Sequence, residues 1–150
     1  MVADGPQGDA MVADGHPGDV DTAGQGVIRR ILVVDDDPGI RRVLTYNLSA
    51  EGFDVEAVED GYQVPGAIGS FGPDLLILDV MMPGRDGLEV LSDLRSREPT
   101  RSIPVILLTA KATDEEVWAG WQAGADYYVT KPFDLDEILS FVEYLSLQIV

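Results

Sequence analysis

Three aspartates stand side by side at Asp35, Asp36 and Asp37, directly after the apolar run Ile31–Val34. Adjacent carboxylates repel one another, and removing them from water is costly unless something pairs with them. Either they are solvated at a strand end or they hold a cation. Three further polar groups follow apolar runs in the same way: Asp79 after Leu75–Leu78, Thr109 after Val105–Leu108, and Lys131 after Tyr127–Thr130. Carboxylates joined by water and carbonyl oxygens are the ligand type of Mg2+ (or Mn2+), which favours octahedral oxygen coordination and phosphate partners. An ammonium and a hydroxyl suit phosphoryl oxygens. A carboxylate can itself be the nucleophile and form an aspartyl phosphate. Asp37 does something else. It precedes Pro38 and reads as a helix N-cap with proline in the first turn.

The groups meet only if the chain brings these strand ends together. Ile31–Val34, Leu75–Leu78 and Val105–Leu108 are continuous apolar runs, the pattern of strands buried on both faces. Phe53–Val58 alternates instead, as expected of a strand at or near a sheet edge, and Tyr127–Thr130 is a fifth strand. Between them lie helical stretches. Ile40, Val43, Leu44 and Leu48 form a stripe that Gly52 ends, Leu88–Arg97 is amphipathic, Thr113–Ala123 is closed by Gly124, and Leu135–Leu147 comes last. The segment Tyr62–Phe71 is the weakest helix, because it contains Pro65, Gly66 and Gly69. Five β–α units predict an α/β fold, a doubly wound five-stranded parallel sheet flanked by five helices. In such folds the functional crevice lies outside the carboxyl ends of the strands, where the residues above stand.

Composition narrows the function further. The 150 residues carry 27 Asp and Glu against 10 Lys and Arg, a net charge of −17. Such a surface repels phosphate backbones, so direct nucleic acid binding by this chain is not expected. There is no cysteine, which excludes disulfides and thiolate chemistry and fits a cytoplasmic protein. The apolar runs are too short to span a membrane, and the N-terminus lacks the basic start and apolar stretch of a secretion signal. Residues 1–26 differ from the rest. A ten-residue near-duplication, MVADGPQGDA then MVADGHPGDV, is rich in Gly, Asp and Pro and lacks Lys, Arg and aromatic residues. It reads as a disordered acidic tail before a domain at 27–150, with His16, the single histidine, as a solvated tail residue.

Four segments together resemble the response-regulator receiver domain of two-component signalling, of the chemotaxis-regulator kind: V-V-D-D-D-P, L-L-I-L-D-V-M-M-P-G-R-D-G, V-I-L-L-T-A and Y-Y-V-T-K-P-F. They occur in order, each on a predicted strand end, and the resemblance runs from about Ile28 to Leu147. It implies a flavodoxin-like sheet of strand order 2-1-3-4-5. It implies Asp79 as phosphoacceptor and Mg2+ (or Mn2+) held by Asp36, by Asp35 largely through water, by Asp79 and by the Met81 carbonyl. Lys131 and Thr109 would hold phosphoryl oxygens, and Lys131-Pro132 would be a cis peptide. Tyr128 would turn inward with Thr109, and alternation along the strand favours it over Tyr127.

The implied activity is a switch, not a turnover enzyme. A histidine kinase, a phosphotransfer protein or a small acyl phosphate donates the phosphoryl group. The face of the fourth helix, fifth strand and fifth helix then binds a downstream effector or a second copy in a homodimer. Met81 and Lys111, each two residues beyond a site residue, are candidates for tuning the phosphate's lifetime. Trp118 and Trp121, three apart on a helix, read either as partner surface or as core. Two other functions compete. A Mg2+-dependent phosphohydrolase would want an acid two residues after the nucleophile, where Met81 stands. A binding module that works without phosphorylation would not need the full set of Asp35, Asp36, Asp79, Thr109 and Lys131.

Overall fold

The computed structural model describes residues 27–110 and 113–148. The expected tail at 1–26 and the tuning candidate Lys111 lie outside the described residues. Five strands, β1 (Arg30–Val34), β2 (Asp54–Val58), β3 (Leu75–Asp79), β4 (Val105–Thr109) and β5 (Tyr127–Thr130), alternate with five helices, α1 (Pro38–Ala50), α2 (Val64–Phe71), α3 (Gly87–Ser96), α4 (Asp114–Ala123) and α5 (Leu135–Gln148). The sheet is parallel throughout, in the order β2-β1-β3-β4-β5. The alternating strand β2 is at one edge, as its pattern predicted, and β5 is at the other.

The apolar runs are buried because both faces of the sheet are covered. Side chains alternate across the pleat. Leu32, Val34, Leu76, Leu78 and Leu107 pack with α2 and α3 on one face, and Ile31, Val33, Ile77, Ile106 and Leu108 pack with α1 and α5 on the other. A strand with one polar face could not serve both layers, so β1, β3 and β4 read as unbroken hydrophobes.

Helix ends follow local chemistry. Asp37 Oδ1 accepts from the N–H groups of Gly39 (2.8 Å) and Ile40 (3.4 Å), the cap read from the sequence. Asp86 and Glu89 form a reciprocal capping box at the start of α3. The weak second helix is real but starts later than expected: Gly61–Gln63 form a 3-10 turn, and α2 begins at Val64. Pro65 stands in its first turn, where the missing N–H has no intrahelical partner to lose. The residue that weakened the expectation therefore marks the helix start.

Arg95 ties the far end of the sheet together. Its guanidinium donates to the carbonyls of Ile103 (2.7 Å) and Gly124 (3.0 Å) and to Asp126 Oδ2 (3.2 Å), while Asp126 Oδ2 accepts from the Val105 N–H (2.8 Å). One side chain thus fixes α3, the start of β4 and the turn into β5.

Candidate functional site

The site lies at the carboxyl ends of β1, β3, β4 and β5. Parallel pairing with β3 next to both β1 and β4 sets Asp35, Asp79 and Thr109 side by side, and β5 brings Lys131 to the same end. One carboxylate oxygen each from Asp35, Asp36 and Asp79 lies within 4.8 Å of the other two. Asp35 and Asp79 are buried, whereas Asp36 faces solvent. Lys131 Nζ stands 3.0 Å from Asp35 Oδ2 and 3.4 Å from Asp79 Oδ1. The Lys131-Pro132 peptide is cis.

Backbone donors hold the carboxylates in place. Asp35 Oδ1 accepts from the Asp37 N–H at 2.9 Å, and Asp79 Oδ1 from the Met81 N–H at 3.2 Å. Arg41, on the first turn of α1, donates to the Asp35 carbonyl at 2.8 Å. Helix α3 comes so close to β3 that a Cβ on Gly87 would clash with the Asp79 carbonyl oxygen. No side chain fits there, and glycine permits the close approach.

The electrostatics are unbalanced. Burial, and then the neighbouring Asp35 charge, push the Asp79 carboxyl up to about 7, against the pull of Lys131 and the Met81 N–H. Burial also works against the Lys131 charge, but Asp35 and Asp79 outweigh it and hold its pKa above the ordinary lysine value. Asp35 Oδ2 is buried with that ammonium as its ionic neighbour and has no aligned hydrogen bond among the described residues. A single ammonium facing three carboxylates leaves a deficit of positive charge. The donor set is all oxygen, with one oxygen lacking a hydrogen bond, and it fits a small hard dication such as Mg2+.

On β4 and β5 the hydroxyl groups meet. Thr109 is buried, and the half-buried Tyr128 hydrogen-bonds to it. The Tyr128 ring packs with the cluster on the α2–α3 face and lies against Gly120 of α4, where a Cβ would come within 2.9 Å of it. Tyr127 belongs to the opposite face and stacks on Phe141 of α5. Met81 exposes its side chain at the rim and carries no acid.

Residues 31–143 match the family of the response regulator receiver domain. The chain belongs to that family. Receivers are phosphoacceptor switches of two-component systems, not enzymes in the ordinary sense. This receiver is 49% identical over 111 residues to the response regulator MprA of Mycobacterium avium, covering 74% of this chain and 48% of that protein. It is 42% identical over 116 residues to the DNA-binding dual master transcriptional regulator RpaA of Synechocystis, covering 77% and 48%. The chain thus spans about half the length of the curated relatives it matches. Among solved structures, the receiver domain of the Francisella response regulator 1452 superposes with a TM-score of 0.74 at 32% identity, covering 80% of this chain and 98% of that one.

The receiver's four sequence segments converge on one crevice, and Asp37 stands apart as the cap. Trp118 and Trp121 are exposed, not core. Two positioning residues escaped the sequence reading. Arg41 gives no local signal, since its contact is to a backbone carbonyl across a turn. Gly87 gave one, the D-G pair at a helix start, but its close approach to Asp79 shows only in three dimensions. Among the described residues, no helix is long and apolar enough to cross a membrane.

Proposed function

We propose that Asp79 accepts a phosphoryl group from the phosphohistidine of a partner histidine kinase or phosphotransfer protein, or from a small acyl phosphate. The observation that carries this reading is the buried Asp79 carboxylate beside Asp35, Asp36 and the Lys131 ammonium. An Asp79 oxygen attacks phosphorus in line, forming a new P–O bond as the bond to the donor's nitrogen or oxygen breaks. Lys131 leaves its carboxylate partners to take a phosphoryl oxygen. Mg2+ (or Mn2+) would be held by Asp36 and Asp79, by Asp35 through water, and by the Met81 carbonyl, and would supply charge neutralisation for the transferring group. The exchange is set in the cytoplasm, where donor and cation are both available.

Thr109 then donates its hydroxyl proton to a second phosphoryl oxygen. Tyr128 is already inward and bonded to Thr109, so a shift of that hydroxyl changes what Tyr128 and α4 can contact. The surface of α4, β5 and α5 carries the outcome to an effector, and hydrolysis resets it.

Intact mass after incubation with Mg2+ and acetyl phosphate tests the reading. A phosphate-sized gain is expected in the wild type and none in Asp79→Asn. A gain in both would place the nucleophile elsewhere. No gain from acetyl phosphate or from a phosphorylated kinase would leave a binding module that works without phosphorylation.

A further inference from the structure

The edge formed by α4, β5 and α5 combines exposed aromatic side chains with carboxylates. α4 lies over β4 and β5, with Gly120 turned onto Leu107 and Tyr128. Each residue turns about 100° around a helix, and the crossover from β4 through α4 to β5 is right-handed, so Trp121 points toward the β5 edge with Trp118 beside it on the outer side. Trp118 is 64% exposed and Trp121 46%. Behind the edge strand, Tyr127 stacks on Phe141 with ring centroids 4.0 Å apart and meets the half-exposed Tyr144 edge-on at 6.0 Å. Exposed Leu147 extends the apolar ground along α5. Glu137 precedes Phe141 and Tyr144 on the same stripe of α5, at helical spacings of four and seven residues, and Glu115 is exposed on α4.

This edge carries carboxylates and almost no cation. From Lys111 to Val150 the chain holds eight Asp and Glu, of which Asp126 is paired with Arg95, against two Lys and no Arg, and Lys131 is engaged by Asp35 and Asp79. A twofold homodimer would set the patch against itself. Exposed glutamates such as Glu115 and Glu137 would then face their own copies with few cations to answer them, and juxtaposed like charges are costly in a desolvated interface. An arginine- or lysine-bearing apolar helix meets neither obstacle. Its cations pair with the carboxylates and lie over the indole and phenol rings, and its apolar stripe covers the aromatic ground.

We propose that the α4–β5–α5 edge receives a cationic amphipathic helix of another protein, not a second copy of this chain. The proposal rests on the receiver reading only in naming this surface as the output.

The test uses the full chain with Mg2+, with and without beryllofluoride. Light scattering behind a sizing column should report a monomer in both states. The binding probe is a synthetic leucine–arginine amphipathic helix, with a leucine–glutamate helix of equal length as control. The chain's two tryptophans are both on α4, so their emission reports contact directly. The arginine peptide should shift it and the glutamate peptide should not. A Trp118→Ser/Trp121→Ser double variant, which leaves the net charge alone, should weaken binding of dye-labelled peptide by about tenfold or more.

Unchanged affinity in that variant would overturn the proposal, because it would mean attraction to the acidic surface at large. A beryllofluoride-dependent dimer that the same two substitutions abolish would also overturn it. Circular dichroism confirms that the variant folds. If intact mass shows no phosphoryl transfer to Asp79, the receiver mechanism fails separately, and the oligomer and peptide measurements still decide what this edge binds.

Discussion

At Asp79 one carboxyl carries two opposing demands: it is buried, and the proposed mechanism needs it ionised. Its pKa is raised from 3.8 to about 7 by burial and by Asp35. The unfolded chain releases this proton near 4, whereas the folded chain keeps it until near 7. The folded state therefore binds more protons across that window, and its stability falls as pH rises from 4 to 7, then levels off. Asp79→Asn removes this penalty. Urea unfolding should find the variant more stable than wild type at pH 8, by at most about 4 kcal/mol, with the gap closing toward pH 4. A gap that does not change with pH would mean that the penalty is not the carboxyl's. Mg2+ competes with the same proton, so its affinity for the wild type should rise with pH up to about 7, measured by calorimetric titration. Lys131 is the other half of the balance. Lys131→Met leaves Asp35 buried without its ion partner, and should cost about 3 kcal/mol in the absence of metal. Added Mg2+ should then restore more stability to the variant than it gives the wild type. Equal gains in both would argue that the cation does not take over the lysine's role.

The elements explain which parts of this were legible in the sequence. The strands β1, β3 and β4 were readable because burial on both faces leaves unbroken apolar runs, and the polar residue ending each run marks the crevice. The caps were readable because Asp37 and its neighbours act within one turn. Arg95 and Gly87 were not, because their partners are remote in the chain or across an element boundary, and no periodicity encodes such contacts. Pro65 misled for a related reason: its effect depends on whether it falls in the first turn of α2 or later. Two glycine substitutions separate these cases. Gly66 and Gly69 lie within α2, and a methyl group added at either would have nothing within 4 Å of it. Gly66→Ala with Gly69→Ala should therefore stabilise the fold by about 1 kcal/mol or somewhat more, read from the denaturation midpoint. Gly87→Ala drives a methyl into the Asp79 carbonyl and should destabilise by about 2 kcal/mol. It should also slow phosphoryl transfer from acetyl phosphate, since the backbone of the proposed nucleophile must move.

Over the whole molecule, charge sets the terms. A net charge of −17 on 150 residues makes the compact state repel itself. Thermal unfolding followed by circular dichroism should therefore show the melting temperature rising by a few degrees between low salt and about 0.15 M NaCl, with most of the gain at the low end, where the screening length is longest. A melting temperature indifferent to salt would show that the acidic side chains are too far apart to matter.

The site's composition from four separate strand ends also has a consequence in time. A ribosome releases Asp35 first, Asp79 next, and Lys131 only near the end of the described chain. Until β5 pairs with β4, the two buried carboxylates face each other without the ammonium that answers them. A nascent chain at that stage has its acids in place and its positive partner still in the exit tunnel. On the proposed mechanism, competence to take a phosphoryl group therefore arrives late, with the pairing of β5.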